Sequence, residues 1–520
     1  MFDKIKRLSK DTLLYGLSIM LGRFINFVLV PFYTNIFDPA EYGVVAHLYA
    51  YVAFLSVAYI YGMDAAYLKF ASLPELKSKR KETFSTILLS IVTTSAFLTA
   101  ALAYFAPSVG GLMNLEPARI PLIYWVAAIV ALDALCWVPF IHLRLKNKAL
   151  LFSTIKIVSI LVNVGLNILL IVVWGWGIEA IFISNVAASA LSLLWLAPYI
   201  VGNFTFRFDW TLYKRFMKFG FPYFPASVAA VLMQVVDRPI VERLAGRATL
   251  GVYQANYKMG VFMMLFVSMF QYAWQPFFLQ SAEEPGAKKL FAKVLTLFTL
   301  AGAVILVAVS LFIPDIIQFQ IAGKSLIGWR YWGGLHIIPI ILLGYLFYGF
   351  YVNFVAGLYI KEKSLPAPII MGVCAAINVG ANFALVPEYG VTGAALATLA
   401  AYFAMALGFF VVTRRYYRID YEWGKIGRIF LAVGMVAGAY YFWLAESAPV
   451  ATPGGAIELL DATWFEKIAL LAAFAALLAL SRAVEPSEIK RVIARIRGRK
   501  SDATEPKDAT EPKEPDDDRN

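Results

Sequence analysis

Charge is scarce in this chain. Only 15% of its 520 residues are Asp, Glu, Lys or Arg, where a soluble domain carries about a quarter. Cysteine is scarcer still: Cys136 and Cys374 are the two, and both fall in apolar stretches. Neither a disulfide framework nor a CxxC metal site is written here. His47, His142 and His336 are scattered and form no metal or nucleophile constellation, so each is expected to be interfacial or packed. Alternating segments of about ten residues, the mark of a membrane barrel, do not recur. Long connections are missing too, which argues against a glycan polymerase or membrane glycosyltransferase needing an extramembrane catalytic segment.

Apolar residues are what the chain has in abundance: 60% of the total, with a mean hydropathy of +0.69. They come in blocks of about 20 or more, enough to cross roughly 30 Å of hydrocarbon at 1.5 Å per residue. The chain therefore reads as an all-α polytopic membrane protein with fourteen spans. These are 12–37, 42–70, 83–107, 120–142, 150–173, 178–201, 217–242, 251–280, 289–313, 333–360, 365–387, 390–412, 426–446 and 464–484. The first run is too long for a signal-peptide core and no small-residue cleavage site follows it, so it is expected to stay as a membrane helix.

The connections alternate between basic and nearly charge-free. One side collects 36 of the 46 Lys and Arg, both chain ends included; the other has 6, and 4 lie inside spans. By the positive-inside rule both termini face the cytoplasm. The net charge of +12 thus follows from topology and calls for no nucleic-acid partner. In the tail, "PSEIKRVIARIRGRK" (486–500) spaces Ile489, Val492, Ile493 and Ile496 as one helical face opposite basic residues, suiting an anionic membrane surface. The repeated "DATEPK" beyond it is expected to be disordered.

An internal repeat divides the rest. "KNKALLFSTIKIVSILVNVGLNILL" (146–170) lies over "KEKSLPAPIIMGVCAAINVGANFAL" (361–385), with Lys146/Lys361, Lys148/Lys363, Asn163/Asn378, Gly165/Gly380 and Asn167/Asn382 in register. "DPAEYGVV" (38–45) similarly matches "GRATLGVY" (246–253) at Gly43/Gly251 and Val44/Val252. Six spans separate each pair. Six is even, so the halves are parallel repeats: a lobe of residues 1–201, a lobe of 202–412, two further spans in 413–484, and a cytoplasmic segment from 485.

The stretch "PFYTNIFDPAEYGVVAHLYAYVAFLSVAYIYGMDAAYLKF" (31–70) resembles the polysaccharide transporter family, the Wzx-like flippases of lipid-linked oligosaccharides such as O-antigen units. It shares Arg23 midway along the first span, Pro31-x-Tyr33-Thr34, Pro39-x-x-Tyr42-Gly43, and Gly62 followed by Ala65 and Ala66. Asp237-Arg238, Gly251-Val252-Tyr253, "QYAWQPF" (271–277) and the Gly390/Gly393 turn also look like family features. Asn35 and Lys69 depart from it, standing where the family often has Arg. The resemblance covers spans 1–12 and implies the fold of the multidrug/oligosaccharidyl-lipid/polysaccharide exporter group, two six-helix lobes in a V. It implies movement of a polyprenyl-diphosphate-linked glycan from the inner to the outer leaflet of the bacterial plasma membrane. Polymerase and assembly proteins of the surface polysaccharide are the implied partners.

An ion inside a span costs roughly 2.5–3.5 kcal/mol on insertion scales, so the buried charges demand a reason. Arg23, Lys156, Arg238 and Lys258 are the cations; Asp64, Asp133 and Asp237 the anions, with Glu179 near a span end. A cavity with basic groups at several depths would hold a diphosphate by charge-assisted hydrogen bonds. Gln234, Asn256, Gln271, Gln275 and Asn353 are candidates to meet sugar hydroxyls. The competing view is internal pairing by depth: Asp237 with Lys258, Asp133 with Lys156, Asp64 with Arg23. Arg238 is left over, because one residue turns a helix by about 100° and removes it from the face of Asp237. It is expected to point into the cavity. No cofactor is expected; the acids are candidates for Na⁺ or H⁺ coupling as well as for pairing. A flippase of the peptidoglycan lipid precursor is the nearest alternative. A multidrug cation antiporter fits less well, since no acid lies between Asp11 and Asp38 and a basic cavity repels cations.

Overall fold

A segment in hydrocarbon can satisfy its backbone polar groups only from within, which leaves apolar blocks of this length no choice but helix. The structure, a computed structural model, describes residues 27–481 apart from Lys77, Ala322, Ser364, Ala445, Pro453 and Gly454. Arg23, much of the first expected span and the tail helix expected at 486–500 lie outside the described residues.

Residues 27–34 are helical and lead to α1 (Pro39–Ile60), which Asp38 and Glu41 start with a reciprocal capping box. Then come α2 (Met63–Phe70), α3 (Arg80–Tyr104), α4 (Pro121–Leu145), α5 (Ala149–Ile168) and α6 (Glu179–Asn203). A second set comprises α7 (Trp210–Gly220), α8 (Tyr223–Val235), α9 (Asp237–Ala245), α10 (Arg247–Tyr257), α11 (Val261–Ser281), α12 (Ala287–Gln318), α13 (Ile338–Phe354) and α14 (Pro366–Tyr416). The described chain closes with α15 (Trp423–Ala439) and α16 (Trp464–Leu480). Ten of the described helices are long and apolar enough to cross a membrane, or eleven if α7 and α8, bent by 46°, count as one span. Straight, the 51 residues of α14 would reach roughly 76 Å, more than twice a hydrocarbon core. Gly390, at φ 52° and ψ −122°, folds them into two arms instead.

Several expected spans are interrupted, three of them for an evident local reason. The run 42–70 breaks between α1 and α2 at Tyr61 and Gly62, where φ is 37° and 84°. The backbones of Gly62 and Gly220 touch there, leaving room for no Cβ on either. The run 217–242 breaks at Phe221–Pro222 and again at Val236. Pro239 explains the second break: it offers no N–H to the carbonyl of Val235, and its ring would clash with that carbonyl. The run 251–280 breaks at a 3₁₀ turn, Lys258–Gly260, where Gly260 lies against Ile341 and Tyr345. The all-helical expectation also needs correction. Two antiparallel hairpins, β1 (Gln320–Ile321) with β2 (Lys324–Ser325) and β3 (Glu446–Thr452) with β4 (Gly455–Asp461), sit in connections between helices. Open strand edges are tolerable there, as they are not against lipid.

The first set packs around α4, flanked by α3 and α6, with α5 on α6; the second packs around α13, against α11, α12 and α14. α16 is fastened by Lys467, fully buried, which pairs with Asp315 at the end of α12 and with Asp461 at 2.6 Å. The two sets meet chiefly where α1 crosses α10. Gly43 lies against the backbone of Arg247, and Gly251 against the backbone of Pro39. In the register of the repeat Pro39 corresponds to Arg247 and Gly43 to Gly251, so the contact maps onto itself, as a two-fold interface does. The Asn-Val-Gly-x-Asn motif is likewise folded alike in both copies. Asn167 Nδ2 donates to the carbonyl and Oδ1 of Asn163 at 2.8 and 3.2 Å; Asn382 Nδ2 does the same to Asn378 at 2.9 Å for both.

Candidate functional site

Irregular backbone at membrane depth is sustainable only where it lines protein or a water-filled cavity. Arg238 sits at the second break of the 217–242 run and Lys258 at the 3₁₀ turn between α10 and α11. Both line two adjoining hollows of about 410 and 310 Å³, which share Arg238, Gln254 and Lys258 as a common partition. The larger hollow reaches toward α5 and α6, past Tyr42, Asn163 and Asn185. The smaller reaches toward α13 and α14, past Gln234, Gln271 and the rings of Tyr257, Tyr345 and Tyr402. No carboxylate is among the described residues lining either.

Two of the depth-matched pairings, Asp237 with Lys258 and Asp133 with Lys156, do not form; the third, Asp64 with Arg23, involves a residue outside those described. Asp237 accepts from the Tyr253 hydroxyl at 2.5 Å and from the Arg238 backbone N–H at 3.0 Å. Lys258 makes no ion pair among the described residues and instead lies 5.6 Å from the centre of the Tyr42 ring. Asp133 is held by Ser189 Oγ at 2.6 Å, while the Lys156 ammonium sits over Phe140 at 4.3 Å. Arg238 does face the cavity. Its Nε is buried without a hydrogen-bond partner among the described residues, as is Gln254 Oε1. Two positive charges and an orphaned amide oxygen thus converge on one partition, with no described carboxylate in the lining of either hollow.

Of the other expected residues, Gln234 and Gln271 line the smaller hollow, whereas Lys156, Gln275 and Asn353 line neither. Asn353 is buried and donates to the Gly349 carbonyl at 2.9 Å; Asn256 is buried and donates to the carbonyls of Val252 and Tyr331. Asp64 is half-buried in the first turn of α2 and Glu179 exposed in that of α6. Arg23 lies outside the described residues. The residues not anticipated are Gln254, Ser159, Asn163, Asn185 and Ser189. A usable signal was present: Ser159/Asn163, Asn185/Ser189, Gln234/Arg238 and Gln254/Lys258 are each polar pairs one helical turn apart in apolar spans, hence polar stripes on one face.

Two helix sets enclosing a cationic cavity in a membrane define a transporter-type fold, and solved structures share it. The protein titled "Lipid II flippase MurJ, inward closed conformation" matches with a TM-score of 0.70 at 15% identity, over 93% of this chain and 99% of that one. An inward-facing multidrug resistance MATE family transporter of the MOP superfamily matches at 0.61 and 12% identity, over 79% of this chain and 97% of that one. An outward-facing MATE family transporter matches at 0.54 and 14%, over 78% and 95%. Comparison with curated proteins finds no matching sequence. The sequence model of the family described as "Polysaccharide biosynthesis protein" matches residues 8–282. This chain belongs to that family. It is an integral membrane protein, and it shares its fold with the solved MurJ flippase and MATE family transporters.

Proposed function

We propose that this protein flips a polyprenyl-diphosphate-linked oligosaccharide from the inner to the outer leaflet of the bacterial plasma membrane, by alternating access, for surface polysaccharide synthesis. The observation that carries this is the partition of Arg238, Gln254 and Lys258. Two cations line hollows that no described carboxylate lines, and unpaired they would cost roughly 5–7 kcal/mol of insertion on the scales above, less what Asp237 beside Arg238 contributes. A diphosphate offsets that cost only while it is bound; a cationic drug would add to it. Asp237, committed to Tyr253, and Asp133, committed to Ser189, are positioning groups in this reading. Arg23 and Lys156 would meet the headgroup at other stages of its passage.

The same reading takes the chain as fourteen spans with both termini cytoplasmic. It counts the bent α7–α8 pair as one span, α14 as two, and adds the 17-residue α16 and the first span. The reciprocal glycine contact and the matched Asn motifs support two parallel six-span repeats. On that topology the α1/α10 crossing lies at the outer mouth, so the outer side is closed. The peptidoglycan-precursor alternative draws on the likeness to MurJ, which at 15% identity speaks for fold alone. The test is transport in proteoliposomes, following the accessibility of a labelled polyprenyl-diphosphate oligosaccharide, with the peptidoglycan precursor and a cationic dye alongside. Movement of the oligosaccharide lipid with the dye static supports the proposal. Preferential movement of the peptidoglycan precursor favours the alternative, and dye extrusion alone overturns both.

A further inference from the structure

The walls of the cavity differ in chemistry. Beyond the cationic partition, the larger hollow is bounded by Ser159 and Asn163 on α5 and by Asn185 and Ser189 on α6, none of them charged. Each is fixed from behind. Ser159 Oγ donates to the Ala188 carbonyl at 3.0 Å and Ser189 Oγ to Asp133 Oδ1 at 2.6 Å. Asn185 Nδ2 donates to the Tyr49 hydroxyl at 2.8 Å. Asn163 Oδ1 accepts from Asn167, whose own Oδ1 accepts from the Tyr33 hydroxyl at 2.9 Å.

These bonds decide what remains for a ligand. A serine hydroxyl has one hydrogen, so Ser159 and Ser189 are left with lone pairs; Asn185 keeps its carbonyl oxygen, and Asn163 its amide N–H groups. The wall therefore offers three acceptors, the amide N–H groups of Asn163 and the second N–H of Asn185, all pre-oriented. The copies of the repeat have diverged at this point. Asn378, the counterpart of Asn163, makes the same internal bond but is buried and lines neither hollow.

We propose that this wall reads the sugar next to the diphosphate, and that it selects a neutral, hydroxyl-rich sugar over a uronic acid. The assignment rests on the flippase reading, which places the diphosphate at Arg238 and Lys258. Sugar hydroxyls donate to the three preset acceptors. A carboxylate can only accept, so in the same place it meets lone pairs, with the Asp133 carboxylate behind Ser189.

The test uses the full-length protein in nanodiscs and three probes: a bare polyprenyl diphosphate, the same lipid bearing a neutral disaccharide, and one whose first sugar is a uronic acid. The wild type is expected to bind the neutral glycolipid most tightly. Asn163→Ala and Asn185→Ala should each weaken that binding by about 2- to 10-fold, the worth of one hydrogen bond, and leave the bare diphosphate unaffected. Asn378→Ala should leave the sugar preference unchanged. Where Asn185→Ala fails to reach the membrane, Tyr49→Phe, which frees Asn185 to swing, should lower the preference for the neutral glycolipid by itself. Equal binding of neutral and acidic glycolipids, or a preference untouched by the asparagine variants, would overturn the proposal while diphosphate binding stands. Failure of all three probes to bind overturns the flippase reading itself.

Discussion

Adding one methyl group at Gly251 should open the protein where α1 crosses α10, the outer mouth in the proposed topology. The Cα of Gly251 faces the backbone carbonyl of Pro39, and a Cβ built there falls within the van der Waals envelope of that carbonyl. Backbone cannot step aside as a side-chain tip does, so α1 and α10 must part. Overpacking of this kind costs about 1–3 kcal/mol, and the cost falls only on the state in which the helices touch. It translates into a change of about 5- to 150-fold in the ratio of closed to open forms. The contact has further bonds to lose: Arg247 pairs with Glu242 at 3.3 Å and with Glu116 at 3.4 Å, and donates to the carbonyl of Asn114. Spin labels at Gly111→Cys and Arg243→Cys flank the mouth, since Gly111 has open space around it and Arg243 is exposed. The native Cys136 and Cys374 are buried. The distance distribution should shift outward in Gly251→Ala, and transport should slow because the closed form is disfavoured. Gly434→Ala, at a glycine with nothing nearby, should do neither. An unchanged distribution with normal transport would refute the assignment of the α1/α10 crossing as a closing contact.

Arg238→Gln and Lys258→Gln should each lose a charge-assisted bond to phosphate, about 1.5–3 kcal/mol, and so about 10- to 150-fold in affinity for a polyprenyl diphosphate at unchanged membrane expression. Retained affinity in both variants would remove the diphosphate from this partition. Lys467→Met strands Asp315 and Asp461, which keep partial exposure. We expect a loss near the lower end of the 3–5 kcal/mol typical of a broken buried pair, read as a fall in thermal unfolding temperature; an unmoved transition would show that α16 is held by apolar packing alone. Outside the membrane, Asp209 caps α7, and the N–H groups of Leu212 and Thr211, with Lys79 nearby, hold its carboxyl below the ordinary range. A depressed value stabilises the folded state above the ordinary carboxylate pKa and loses that contribution as pH falls through the lowered one. Amide protection in Trp210–Gly220 should fall with acid in the wild type and be low throughout in Asp209→Ala; identical profiles would count against the cap.

Apolar blocks of some 20 residues state their own conformation, so most spans were legible as helices from composition alone. Their interruptions were less so. Pro239 and Pro222 stood in plain view, but a uniformly apolar run carries no periodicity to mark where a helix ends. The Gly62/Gly220 contact joins residues 158 positions apart, a distance no local pattern spans. For the charges, hydropathy supplied depth but not direction around the helix axis. Depth alone paired Asp237 with Lys258, whereas Tyr253, five residues earlier on the same helical run, presents its hydroxyl to Asp237. Asn353 failed as a cavity candidate for a related reason: a single polar residue in a span can turn back to its own i−4 carbonyl, as it does to Gly349. Two polar residues one turn apart each have that option too. They nevertheless fix a common face, and burying such a face against lipid costs twice. Four such pairs, Ser159/Asn163, Asn185/Ser189, Gln234/Arg238 and Gln254/Lys258, border the two hollows, whereas Asn378/Asn382 is buried in protein and Gln271/Gln275 brings only Gln271 to a hollow. In a membrane chain, then, the doublet at helical spacing adds an azimuth to the depth that an isolated charge gives, and the packing decides whether that azimuth faces a cavity, as at Gln254/Lys258, or protein, as at Asn378/Asn382.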